Sequence, residues 1–126
     1  MLSENELSKA IVNCCYNIHT TLGPGLLESV YEEVLSYDLI QLGLCVKRQS
    51  GIGVTYKEVR LDLGFRADLI VDNKVIIEIK SIEAISAVHF KQLLTYLKLT
   101  NLKLGLLVNF NQALIKDGIK RVVNNL

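Results

Sequence analysis

The chain has 126 residues, half of them hydrophobic and 21% charged, which suits one folded core and argues against a disordered chain. Fourteen bases nearly balance thirteen acids, but residues 1–40 hold one base against six acids and residues 41–126 hold thirteen against seven. That balance excludes a uniformly basic nucleic-acid binder and leaves room for a local phosphate-binding face.

No apolar run reaches the roughly 18–20 residues that cross a bilayer. The acidic start, Met1-Leu-Ser-Glu-Asn-Glu, lacks the basic and apolar segments of a signal peptide. A cytoplasmic location with no membrane contact is expected. Cys14, Cys15 and Cys45 match no zinc-binding spacing; they read as reduced, buried, small apolar residues.

Ser3 and Glu6 form an S-x-x-E capping box, which opens a first helix. Leu7, Ile11, Cys14, Cys15, Ile18 and Leu22 follow at helical spacing. Gly23-Pro24-Gly25 ends that helix. A second helix is expected over about 26–42, with the apolar stripe Leu27, Val30, Tyr31, Val34, Leu35 and Leu39, and Gly43 as its stop.

Strand patterns take over after Gly43. Leu44–Tyr56 is interrupted by Gly51 and Gly53, so two short strands with a turn are expected there. Residues 65–71 and 74–81 read as stronger strands, joined by a tight hairpin at Asp72-Asn73. Helical period returns over 87–100 through Phe90, Leu93, Leu94 and Leu97. Leu104–Phe110 is nearly all apolar, as a central strand would be. A short basic helix over about 116–124 is expected to close the chain. No linker, repeat or low-complexity segment divides it. Residues 1–126 read as a single α/β domain with a mixed sheet, in the order α-α-β-β-β-β-α-β-α.

Strand alternation puts Phe65, Ala67, Leu69 and Val71 on one face and Arg66, Asp68 and Ile70 on the other. Ile76, Glu78 and Lys80 share a face of the next strand. Both faces are mostly apolar, so Asp68, Glu78 and Lys80 are charges in a covered sheet, where a charge must be paired or bind a metal. Two readings compete: a structural ion pair, for example Lys80 with Asp68, and a divalent-metal site beside a lysine. An isolated D…E-x-K pattern favours the ion pair. The surroundings shift that balance, because Gln92 and Tyr96 lie one turn apart beside His89 on the 87–100 helix, and Glu28 and Tyr31 open the second helix.

Loop parity decides whether the two acids can meet. A two-residue loop at Asp72-Asn73 would pair Asp68 with Ile77. A three-residue loop, Asp72-Asn73-Lys74, pairs Val71 with Val75 and aligns Asp68 with Glu78, so an odd loop or a compensating bulge is expected.

Gly25-Leu-Leu-Glu28-Ser-Val-Tyr31 resembles the signature of the GxxExxY proteins, a bacterial and archaeal family of the PD-(D/E)XK nuclease superfamily. The resemblance continues through Arg66–Asp72, Val75–Ser81, Gln92–Leu97, Leu104–Phe110 and Lys116–Val123. It implies a PD-(D/E)XK nuclease-like αβββαβ core, with a mixed sheet flanked by helices and an extra N-terminal helix. It also implies an acidic helix residue at Glu28, the superfamily aspartate at Asp68, the E-x-K pair at Glu78 and Lys80, and the helical glutamine and tyrosine at Gln92 and Tyr96. The usual proline before the aspartate is replaced by Ala67.

The activity implied is metal-dependent phosphodiester hydrolysis, of DNA in the first instance. The alternative is a module on the same fold that binds nucleic acid or protein without cutting. Asp68 and Glu78 offer hard oxygen ligands for Mg²⁺, or for Mn²⁺ in its place, with the backbone carbonyl of Ile79 as a third ligand. Glu28 could ligate directly, through water, or hold a second ion. Lys80 could orient the attacking water or stabilise charge in the transition state. Arg66, Lys91, Lys98, Lys116, Lys120 and Arg121 are candidate phosphate contacts. So small a chain has little surface beyond such a site, so a homodimer or a protein partner that delivers the substrate is plausible.

Overall fold

In the computed structural model, which describes residues 1–126 apart from the side chain of Leu63, the capping box forms as expected. Ser3 N–H donates to Glu6 Oε1 and Glu6 N–H to Ser3 Oγ, which opens helix α1 (Glu4–Leu22). Helix α2 (Glu28–Gln41) buries Tyr31, Glu32, Leu35, Ser36 and Leu39. Leu27 and Val30 are exposed instead, because the helix starts at Glu28 and its covered side begins at Tyr31. Leu22, at the end of α1, is exposed as well.

Among the described residues the strands form one five-stranded mixed sheet in chain order, β1 to β5. Strand β1 (Val46–Tyr56) and strand β2 (Val59–Val71) form a long antiparallel hairpin. This corrects the expectation of two short strands before Tyr56. Gly51 and Gly53 lie within β1, and a register shift between Ile52 and Val54 absorbs the irregularity.

Strand β3 (Val75–Lys80) pairs antiparallel with β2. Helix α3 (Ala87–Thr100) then crosses over to strand β4 (Leu104–Asn109), which runs parallel to β3. A 3₁₀ turn at Ile115–Asp117 leads into strand β5 (Ile119–Val123), antiparallel to β4. The expected closing helix is thus a turn and a strand. The free edge of buried β4 carries backbone donors and acceptors that need partners, and the Ile119–Val123 segment, with three β-branched residues, supplies them.

Helices α1 and α2 cover one face. Leu7, Ile11, Cys15, Tyr31 and Leu35 pack there on Leu69, Val71, Ile77, Ile79 and Val108. Helix α3 covers the other, where Leu93, Tyr96 and Leu97 meet Ile52, Ala67, Ile70, Ile76 and Leu107. Cys14 and Cys15 are buried as expected, while Cys45 is exposed. Among the described residues no helix is long and apolar enough to cross a membrane.

Candidate active site

The β2–β3 connection has the odd parity the acids require. Val71 pairs with Val75, Ile70 with Ile76 and Leu69 with Ile77, so the loop is Asp72-Asn73-Lys74. One step further the ladder gives way to side-chain contacts. Ile79 N–H donates to Asp68 Oδ2 at 2.8 Å, and Asp68 N–H donates to Glu78 Oε2 at 3.3 Å.

Strand β2 turns over at this point. Ala67 packs on the α3 side, whereas Leu69 and Val71 pack on the α1/α2 side, so the expected shared face of Phe65 to Val71 does not hold. Gln49 lies across from Asp68, between the pairs Arg48–Leu69 and Ser50–Ala67. Its φ of 50° is left-handed and breaks the extended path. A non-glycine residue held there costs about 1–3 kcal/mol and is kept only where its surroundings demand it.

Glu78 is buried, 5% exposed. Burial, then the neighbouring negative charge of Asp68, pushes its carboxyl up to about 9. Without a cation, Glu78 therefore holds its proton at neutral pH. Lys80 opposes this rise only weakly. Among the described residues the ion pairs are Arg48 with Glu32 and Glu33, and Arg60 with Asp62. The cross-strand Lys80–Asp68 pair is not formed, so the ion-pair reading loses its contact.

Tyr96 of α3 lies close enough to feel the charges of this pair. It is buried, its ring lies 5.1 Å from that of Phe65, and burial, then the charges of Glu78 and Asp68, raise its hydroxyl to about 12. Gln92, one turn earlier, is exposed. His89 takes a capping role, accepting the Ser86 N–H on Nδ1.

Glu28 stands apart from the acid pair. Its Oε2 accepts the N–H of Ser81, just past Lys80, at 3.0 Å. Among the described residues no three His, Cys, Asp or Glu side chains gather as a metal-holding group; Asp68 and Glu78 remain a pair. Glu28 and Ser81 instead line an open cavity of about 530 Å³ with Gly25, Leu26 and Asn111. Tyr31 holds that rim from below: its hydroxyl donates to Gly23 O and accepts the Leu26 N–H, and its ring stacks on Phe110. Gly25 takes a φ of 97° in the same turn, a conformation that favours glycine.

Gln49, Glu32 and Arg48, a run of contacts that ends on Asp68, escaped the sequence reading. Gln49 Nε2 donates to Glu32 Oε1 at 2.6 Å and to Asp68 Oδ1 at 3.3 Å. Buried Glu32 also receives Arg48 Nε and Nη2. Glu32 lies at the edge of the α2 apolar stripe, beside Leu35 and Leu39, and nothing local ties it to Gln49. A fourth, Asn109, is fully buried beside Lys80. Its Oδ1 accepts the N–H groups of Ile82 and Asn111, and its Nδ2 donates to Ile82 O. A polar residue ending an apolar strand was the available signal.

Of the basic candidates, Arg66 stands at the site, donating to Gln49 O at 3.2 Å. Lys91 and Lys98 are exposed on α3. Lys116, Lys120 and Arg121 do not form one group. Lys116 sits in the 3₁₀ turn, and alternation along β5 sends Lys120 and Arg121 to opposite faces. Arg121 is drawn to Asn5 of α1.

A family model of the PD-(D/E)XK nuclease superfamily matches residues 5–122. No curated protein and no solved structure matches the chain. The mixed sheet between helices, the paired acids on β2 and β3, and the lysine two residues on agree with that match: the chain belongs to the PD-(D/E)XK nuclease superfamily.

Proposed function

We propose that this chain is a metal-dependent nuclease that hydrolyses phosphodiester bonds in DNA, of the GxxExxY type within its superfamily. The observation that carries the reading is the pair Asp68 and Glu78, two carboxylates drawn together with no cation paired to either, and Lys80 two residues beyond.

The donor set suits a hard divalent ion. Two carboxylates lie together, and burial, then the charge of Asp68, raises Glu78. In extended backbone a residue's N–H and C=O face the same side. The N–H of Ile79 meets Asp68, so its carbonyl faces that side too. Asp68, Glu78 and the Ile79 carbonyl would hold Mg²⁺, or Mn²⁺ in its place. Such an ion polarises a phosphoryl oxygen and lowers the pKa of its bound water.

The chain's own residues do the rest. Lys80 carries an uncommitted positive charge for the attacking water or the phosphate. Tyr96 adds a buried hydroxyl beside the pair. Exposed Gln92 faces substrate or water. Glu28 fixes Ser81 and so the exit of β3 beyond Lys80. Arg66, beside Gln49, is the basic residue best placed for a flanking phosphate. A second copy of the chain, or a partner delivering nucleic acid, would add binding surface.

The test is direct. Purified protein is incubated with single- and double-stranded DNA and RNA, with Mg²⁺, Mn²⁺ or a chelator. Cleavage of DNA that needs the metal, and disappears in Glu78→Gln and Lys80→Ala, is the expected result. Binding without cleavage under every condition overturns the nuclease reading in favour of a non-cleaving module.

A further inference from the structure

Gln49 is the one residue of β1 whose side chain reaches the acid pair, and it reaches a second acid at the same time. One amide nitrogen, with two N–H groups, donates to Asp68 Oδ1 and to Glu32 Oε1. Its backbone carbonyl accepts from Arg66. Its left-handed φ makes this reach compatible with the strands on either side.

The bonds of Asp68 are thereby divided. Oδ2 is held by the Ile79 N–H and Oδ1 by Gln49. Both donors are neutral, so Asp68 is aimed without being neutralised. Glu32 is in turn fixed by Arg48, whose other branch holds Glu33. The chain Glu33–Arg48–Glu32–Gln49–Asp68 connects the surface of α2 to the carboxylate pair.

We infer that Gln49 is a positioning residue of this site, which holds the Asp68 carboxylate in its ligating orientation by bridging it to the anchored Glu32. The inference rests on the metal-dependent reading above. Groups that orient a metal ligand typically change metal affinity by 10–100-fold when removed.

The test is Mn²⁺ binding to the full chain without nucleic acid, followed by the electron-paramagnetic signal of the free ion. Wild type, Gln49→Ala, Gln49→Asn and Lys80→Ala are compared, with melting temperature measured alongside. Asparagine tolerates left-handed φ but is one methylene too short to span both acids, so it separates the bridge from the backbone conformation. The expected result is roughly 10–100-fold weaker Mn²⁺ binding in both Gln49 variants and near-wild-type binding in Lys80→Ala, with Gln49→Asn melting close to wild type. In cleavage assays, kcat falls in Gln49→Asn while KM holds. Wild type that binds Mn²⁺ alongside Gln49 variants that bind it equally well overturns the positioning role alone. Wild type that binds no Mn²⁺ overturns the metal reading and this role together.

Discussion

The backbone N–H of Ile79 donates to the side chain of Asp68 at 2.8 Å, where a regular antiparallel ladder would offer it a strand carbonyl. A carboxylate has replaced a rung of the sheet. Asp68 is therefore held by the backbone of the strand that carries Glu78, and the two acids are brought together by sheet geometry as well as by any cation between them.

The raised Glu78 carboxyl makes stability depend on pH. Unfolding returns it from about 9 to the ordinary 4.5. Between those values the unfolded chain has released a proton that the folded chain retains, so metal-free stability falls as pH rises. The contribution is fully present below about pH 4.5 and gone by about pH 9. Thermal melts in chelator across pH 5–9 should show this decline, and Glu78→Gln should flatten it.

Metal uptake should expel that same proton. Binding favours the ionised carboxylate, so apparent Mg²⁺ or Mn²⁺ affinity should rise with pH through the neutral range. Calorimetry in buffers of different ionisation enthalpy should count up to one proton released per ion. No release would mean that Glu78 is not a ligand.

Glu78→Gln and Lys80→Ala should fail differently. The first replaces a charged ligand with a neutral amide and should lose metal-dependent thermal stabilisation. The second should keep that stabilisation, because a cationic side chain does not ligate. Both should lower cleavage by about 10²-fold or more. Lys80→Ala that binds no metal would contradict the separate roles given to the two residues.

Tyr31→Phe tests the turn before α2. Removing the hydroxyl leaves Gly23 O and the Leu26 N–H without their partner, at a cost of about 1–2 kcal/mol. The ring stack on Phe110 survives, so the variant should fold with a lowered melting temperature. An unchanged melt would show that the hydroxyl bonds are replaced by water.

Asn109→Ala removes three hydrogen bonds around Ile82 and Asn111, and should cost about 2–4 kcal/mol. The segment after Lys80 should then exchange its amide hydrogens faster than β3 itself. Uniform exchange along both would mean that Asn109 does not anchor this segment.

The features legible in the sequence are those that local rules control. The capping box announced α1, helical spacing announced α3, and loop parity aligned Asp68 with Glu78. What escaped depends on partners distant in the chain. Ile119–Val123 becomes a strand because β4 has a free edge. Gly51 and Gly53 looked like turn residues because the thirteen-residue strand that pairs with β1 is invisible in a local window. Glu32 is held by Arg48 and Gln49, 16 and 17 residues away. Strand alternation also failed at Asp68, because the left-handed backbone of Gln49 across from it interrupts the regular ladder.

The three-residue Asp72–Lys74 loop has a kinetic consequence. Asp68 and Glu78 are separated by so short a stretch that closing it costs little chain entropy, and a hairpin of this kind forms in roughly microseconds. The exit of β3 beyond Lys80 is secured later, because it waits for Asn109 of β4 and for Glu28 of α2, both remote in sequence. The acid pair is thus a local product of the chain, and the surroundings of Lys80 are a product of its topology. The hairpin by itself aligns Asp68 with Glu78, whereas the setting of Lys80 depends on contacts that span 27 and 53 residues of chain.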